Sequence, residues 1–364
     1  MKVCVYAISK NEEKFVARWV ESMKEADEIY VLDTGSTDAT VDLFRENGVN
    51  VTVEKIDPWR FDVARNKSLE LVPQDADICV CTDIDEVMEP GWREKLERAW
   101  TPGTKQARYR YTWNFNPDGS EGYVFWIEKI HTRHDFQWEH PVHEILKYTG
   151  DEPYKSVYVD GMQLNHLADV TKSRAQYLEL LELSVEECPE DDRNMHYLGR
   201  EYMYKGRWND CINTLKRHLQ LKSATWPEER CASMRYIAKS YQMLDDNDSA
   251  EAWYLRACAE SPKLREPWVD YAEFLYGRGN WYGIIFACQK ALLVKERQKT
   301  YIAEAKSWGS LPYDLLSLGH YYTGDLKRAV YYAGCALNAS PKDERIKRNY
   351  AIMERELKES IGGR

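Results

Sequence analysis

"CVCTDIDEVME", residues 79–89, places three acids, Asp83, Asp85 and Glu86, directly behind an apolar run. Ile78-Cys79-Val80-Cys81 has the length and composition of a buried strand bounded by turns. A buried strand that stops on carboxylates stops at a site more often than at a plain loop. Alternation along Asp83-Ile84-Asp85 sets both carboxylates on one side and Ile84 on the other. Two carboxylates at a strand end suit a hard divalent cation, Mg²⁺ or Mn²⁺.

Working outward, the N-terminal half alternates strands and helices. "VCVYAIS" (3–9), "EIYVLD" (28–33), "VNVTVEKI" (49–56) and "DICVCTD" (77–83) read as strands. Helices are expected from Glu12 to Lys24, over "TDATVDLFREN" (37–47) with Asp38 favouring its start, and around Phe61 to Leu71. This βαβαβαβ order predicts an α/β, Rossmann-like domain with a mainly parallel sheet and helices on both faces. "ARYRYTWNF" (107–115) and "YVFWIEKIHTR" (123–133) flank the turn-rich "NPDGSEG" (116–122) and predict a β-hairpin. In such sheets ligands bind beyond the carboxyl ends of the strands, where Ser9, Asp33 and Asp83 fall.

From Lys172 onward no strand is expected. Helical text repeats from Tyr197, Tyr236, Trp268 and Leu315. Ala250, Tyr254, Ala257 and Pro262 have the spacing of a tetratricopeptide (TPR) second helix, and Ala329, Ala333, Ala336 and Pro341 repeat it. An insertion around Glu296–Trp308 interrupts the last interval. The expectation is an all-α, TPR-like solenoid over 172–364, with a concave surface, behind an α/β domain over 1–171.

Composition narrows the partners. Residues 1–171 hold 20 Lys+Arg against 32 Asp+Glu, and residues 172–364 hold 30 against 28. Neither half has the basic footprint of a general nucleic-acid binder. No apolar run is long enough to span a membrane. The nine cysteines are scattered, without metal-type pairing, and suggest a reduced, cytoplasmic chain.

Five motifs in order now carry a resemblance: "AISKNEE" (7–13), "EIYVLDTGSTDAT" (28–40), "ARNKSLE" (64–70), "CTDIDEV" (81–87) and "HPVHEIL" (140–146). Residues 1–170 resemble a family 2 glycosyltransferase of the GT-A fold. With the repeats, the chain is similar to bacterial and phage enzymes that include glycosyltransferases acting on peptides. The resemblance implies an inverting, metal-dependent transfer from a nucleoside-diphosphate sugar, a UDP-sugar being expected. It implies that Asp33 binds the nucleotide base, with Ser9 beside it, and that Arg65 reaches towards the nucleotide. Taken alone, Arg65 reads equally well as a surface ion-pair partner. Asp83 would contact ribose or a metal-bound water, and Asp85 the Mn²⁺ or Mg²⁺. Glu86 reads as support for that site, and Lys10 as a solvated side chain.

Inverting transfer also needs a carboxylate base. Within "WEHPVHEILKY" (138–148) Glu144 is the candidate and Glu139 the alternative. His143 and His166 are candidate metal ligands, though lone histidines often serve structure. A peptide or protein acceptor held by the repeats is expected. A saccharide, lipid-linked or modified-DNA acceptor is the alternative within the enzyme class. A non-catalytic nucleotide-sugar-binding scaffold is the alternative outside it. The repeats could instead pair two copies of the chain.

Overall fold

The computed structural model describes residues 1–116, 119–168, 176–298 and 300–362. Two compact units divide the chain, Met1–Ser184 and Val185–Arg364. The domain boundary expected at 171/172 lies outside the described residues.

In the first unit the elements run β1 (Val3–Ser9), α1 (Glu13–Met23), β2 (Glu28–Asp33), α2 (Thr40–Glu46), β3 (Asn50–Val53), α3 (Phe61–Glu70) and β4 (Ile78–Cys81). Then follow β5 (Glu86–Met88), α4 (Trp92–Ala99), β6 (Thr104–Thr112), β7 (Val124–His131), β8 (Phe136–Glu139), β9 (Ile145–Tyr148) and β10 (Lys155–His166). Helix α5 (Tyr177–Glu187) crosses the division between the units. One eight-stranded sheet has the order β3-β2-β1-β4-β7-β6-β10-β5, and β8-β9 is a separate hairpin. Strands β3, β2, β1 and β4 pair in parallel, as alternation with helices predicts. Beyond β4 the sheet turns mixed: β7 is antiparallel to β4 and β6, and β10 runs parallel to β6 and antiparallel to β5.

Strand β4 is buried on both faces, which explains its unbroken apolar text. Ile78 and Val80 pack with Trp19 and Met23 of α1 in one core. Cys79 and Cys81 point the other way, to Cys4, Tyr6, Leu69 of α3 and Trp138 of β8. The second core holds a directed chain of hydrogen bonds. Trp138 Nε1 donates to Tyr6 Oη at 2.8 Å, and Tyr6 O–H lies 2.8 Å from His131 Nε2. His131 Nδ1 lies 2.7 Å from the Thr132 carbonyl oxygen, which can only accept. The chain is therefore complete only with a neutral imidazole, and burial pushes the His131 pKa down to about 4.

That depression has a consequence for stability. Below pH 6.5 the unfolded chain takes up a proton that the folded chain refuses until about pH 4. The stabilisation is present above pH 6.5 and is lost as pH falls towards 4. Its size is about 3 kcal/mol, at ~1.4 kcal/mol per pKa unit. His131→Gln should lose about 2–3 kcal/mol less stability than the parent between pH 7 and 4.5, by urea unfolding of the full chain. Equal losses would show that His131 does not govern this window.

Among its described residues the second unit holds helices and their connections and no strand. It comprises α6 (Asp192–Tyr204), α7 (Trp208–His218), α8 (Pro227–Met243), α9 (Asn247–Glu260), α10 (Glu266–Gly277) and α11 (Trp281–Leu293). A 3-10 turn at Ala305–Trp308 follows, then α12 (Leu311–Tyr322), α13 (Leu326–Ala339) and α14 (Glu344–Gly362). Asp191, Asp246, Asn280 and Asp325 cap α6, α9, α11 and α13, each accepting a backbone N–H three residues on. Ala250, Ala257, Ala329, Ala333 and Ala336 are all buried, as the repeat spacing requires. Gly199 is small for the same reason: a Cβ there would overlap the Leu215 side chain across the α6–α7 pair. The insertion folds back along the helices. Glu304 accepts from Arg235 of α8 at 2.6 Å, Lys306 pairs with Asp270 of α10 at 2.8 Å, and Trp308 Nε1 donates to Glu266 at 2.9 Å. No described helix is long and apolar enough to cross a membrane.

Candidate active site

The ends of β1, β2 and β4 carry Ser9, Asp33 and Asp83. Asp33 is fully buried, and its carboxylate organises the loop behind it. Oδ1 accepts the backbone N–H groups of Gly35 at 3.0 Å and Ser36 at 2.7 Å. Oδ2 accepts the hydroxyls of Ser9 at 2.7 Å and Ser36 at 2.6 Å. Gly35 permits the turn, with φ at 106°. A carboxylate has about four acceptor positions, and here all are taken. A base N–H would have to displace one of these donors.

Arg65 sits on α3 and is 4 % exposed. Its Nη2 donates to Asp83 Oδ1 at 2.7 Å, while Nε donates to Glu144 Oε1. The guanidinium lies over the Trp138 ring, 5.1 Å from the centroid. Helix α3 also holds the β8 segment through Asn66, which exchanges bonds with the Trp138 N–H at 2.9 Å and carbonyl at 2.8 Å. Arg65, Asp83 and Glu144 are thereby brought together across 79 residues of sequence.

A residue not singled out from sequence completes the group. Lys129, on β7, donates to Asp83 Oδ2 at 3.0 Å and to Glu86 Oε1 at 3.3 Å. Burial opposes ionisation of Asp83, but Arg65 and Lys129 outweigh it and hold the carboxyl well below the usual range. Burial likewise opposes the charge on Lys129, and Asp83 with Glu86 overcomes it and raises its pKa. Glu86 is fully buried, and burial raises its pKa against the pull of Lys129. Its oxygens accept the Tyr111 hydroxyl at 2.7 Å and the Asp83 N–H at 2.8 Å. Glu86 therefore fixes the turn that aims Asp83.

Asp85 faces a different partner. The β5–β10 register sets His166 opposite Glu86, and His166 Nε2 lies 3.3 Å from Asp85 Oδ2. His166 Nδ1 is 2.9 Å from the Trp113 carbonyl oxygen, so Nδ1 is the donor and Nε2 the nitrogen turned to the carboxylate. Tyr111 and Trp113 flank the ring. Burial lowers the His166 pKa, but the hydrogen bond and charge of Asp85 override it, and the net shift is upward.

The other downstream candidates have separate settings. His143 adopts φ 52° and meets the Tyr177 ring edge-on at 5.8 Å. Glu139 forms a surface pair with Lys147, at 2.9 and 3.1 Å. Lys10 is exposed, in keeping with a solvated side chain. Asp83, Asp85, His143 and His166 are not drawn into one three-ligand cluster among the described residues.

Residues 4–146 match the family model described as Glycosyl transferase family 2. No curated protein matches the chain. Solved structures similar to the C-terminal region include MamA, at 19% identity and a TM-score of 0.37, covering 46% of this chain and 89% of that one. A thermophilic TPR protein of Thermus thermophilus is 18% identical, with a TM-score of 0.35, covering 48% and 88%. PilF of Pseudomonas aeruginosa is 11% identical, with a TM-score of 0.38, covering 49% and 72%. Over residues 4–146, within its first unit, the chain is similar to family 2 glycosyl transferases.

Proposed function

We propose that the chain transfers a sugar, with inversion, from a nucleoside-diphosphate sugar, a UDP-sugar being expected, to a peptide or protein acceptor. The observation that supports this best is the Arg65–Asp83–Lys129 group, built on a buried guanidinium, beside the Asp85–His166 pair, at the strand ends of a unit similar to family 2 glycosyl transferases. Arg65 and Lys129 are two fixed cations where a diphosphate needs compensation. Glu144 takes the proton of the acceptor nucleophile. That nucleophile bonds to the anomeric carbon, and the sugar–oxygen bond to the diphosphate breaks with its electron pair leaving on the diphosphate. Glu144 must loosen from Arg65 to do this, and an incoming diphosphate gives Arg65 another anionic partner.

The donor set at Asp85 and His166 fits a divalent cation. His166 offers Nε2 while Nδ1 is held by a carbonyl, the arrangement usual for a ligating imidazole. Asp85 and His166 would hold the cation, the imidazole suiting Mn²⁺ better than Mg²⁺, and the bound ion would stabilise charge on the departing diphosphate. In the helical unit, Tyr204 is exposed beside a cavity of about 440 Å³, lined by Arg235, Asp270 and Lys306 among others. This mixture of aromatic and charged groups supports a polypeptide acceptor.

Glu144→Gln should retain donor affinity and lose transfer by about 10²–10⁴-fold, since only the chemical step needs the base. Transfer to a peptide library, read by mass spectrometry, with the anomeric configuration by NMR, provides the test. Undiminished transfer, or a product with the donor's configuration, would overturn the assignment. Transfer to saccharides, lipid-linked sugars or modified DNA alone would replace the peptide acceptor.

A further inference from the structure

Three helix ends meet far along the chain from the residues discussed above. Asp192 opens α6, His218 closes α7, and Glu229 lies in the first turn of α8. One ligand atom from each lies within 4.8 Å of the others. His218 is fully buried, Glu229 nearly so, and Asp192 is partly exposed. The glycosyl transfer chemistry uses none of them.

His218 shows what the cluster is shaped for. Its Nδ1 lies 3.0 Å from Ser233 Oγ, and the same hydroxyl is 2.8 Å from His196 Nδ1. A hydroxyl has one proton, so Ser233 donates to one ring and accepts from the other. When it accepts from His218, Nε2 of that ring carries a bare lone pair; when it donates, Nε2 carries a proton turned to Glu229, and a metal ion would take that proton's place. This Nε2 lies 3.4 Å from Glu229 Oε1 and forms no hydrogen bond among the described residues. A lone pair facing a carboxylate oxygen inside a protein is repulsive unless something positive lies between them. Two ligand atoms at bonds of about 2.1 Å to a tetrahedral ion are separated by roughly 3.4 Å. The opposite oxygen of Glu229 accepts the Tyr301 hydroxyl, which turns Oε1 towards His218. The Ser233 and Tyr301 contacts orient the two ligands in the way that outer partners of metal sites do. A cavity of about 270 Å³, lined by Asp192, Trp226, Glu229 and Tyr301 among others, gives access and room for a water as a further ligand.

We propose that Asp192, His218 and Glu229 bind a divalent transition-metal ion, with Zn²⁺ the best match, that clamps the ends of α6, α7 and α8. One imidazole and two carboxylates suit Zn²⁺ better than Mg²⁺, which prefers oxygen ligands alone. The ion is structural, since it ties three consecutive helices and leaves the transfer site untouched.

The test uses the full chain carrying Asp85→Ala, so that the candidate catalytic cation site does not contribute. Chelator-stripped protein is equilibrated with Zn²⁺ and analysed for bound metal, thermal midpoint and the absorption of a Co²⁺ derivative. One equivalent of Zn²⁺ is expected, with a raised midpoint and a Co²⁺ spectrum lacking a thiolate band. His218→Gln should lose that equivalent and the midpoint shift. Asp192→Asn, at the partly exposed ligand, should weaken Zn²⁺ binding at least 10-fold without altering helix content, and it serves if His218→Gln fails to fold. Equal Zn²⁺ content in parent and variants, or a thiolate band in the Co²⁺ derivative, would overturn the proposal. Transfer activity enters none of these readings, so the outcome is independent of the proposed function.

Discussion

Asp85→Ala should leave the protein folded and lower Mn²⁺-dependent donor turnover by at least about 10³-fold, equivalent to ~4 kcal/mol of transition-state stabilisation. The fold should survive because the structural contributions nearby do not need the carboxylate. Ile84 is buried in the core, and the Asp85 carbonyl, kept by alanine, accepts the Leu167 N–H at 2.9 Å. What is lost is the partner of His166 Nε2 and one candidate cation ligand. His166→Gln should show the same direction with a smaller loss, since Asp85 remains. Circular dichroism and turnover with added Mn²⁺ provide the check. Full activity of Asp85→Ala, or full activity of the parent in excess chelator, would remove the cation from the account.

The second large effect is on stability. Arg65→Met should destabilise the first unit by about 3–5 kcal/mol, the usual cost of stripping one partner from a buried ion pair. Arg65 is nearly inaccessible and faces two carboxylates, Asp83 and Glu144. Methionine fills part of the volume, removes the guanidinium from the nearly buried Glu144 and leaves Asp83 with Lys129. The double variant Arg65→Met/Glu144→Gln should be less destabilised than the sum of its singles, because one stranded charge is neutralised. Urea unfolding of the full chain, following the transition of the first unit, measures both. Strict additivity would mean that the guanidinium does not hold Glu144 in solution.

These effects follow from contacts that differ in how plainly the chain announces them. Local order was legible. Apolar Ile78–Cys81 ending on Asp83 and Asp85, the strand–helix alternation before it, and the alanine spacing in α9 and α13 are all features of neighbouring residues. The sheet beyond β4 was less so. Strands β5, β8, β9 and β10 carry mixed polar text, and three of the pairings beyond β4 are antiparallel, joining residues far apart in sequence. Lys129 was missed for that reason. In "WIEKIH" it reads as an exposed strand lysine, and only β4–β7 pairing carries it to Asp83. A lysine in a strand otherwise supplying core residues Ile130 and His131 was the available signal. Asp33 marks another limit. Its position at a strand end was clear, but the four hydrogen bonds that occupy it depend on the geometry of the turn at Gly35. The insertion was legible as an interruption, while its path along α8 and α10 depends on long-range pairs such as Arg235–Glu304.

The proposed activity is tested most directly by incubating the full chain with a panel of nucleotide sugars and Mn²⁺ and measuring release of free nucleoside diphosphate. Release from at least one UDP-sugar is expected, slow with water alone and faster with a peptide acceptor, and abolished by Asp85→Ala. No release above the Asp85→Ala background from any donor, with or without acceptor, would contradict the account.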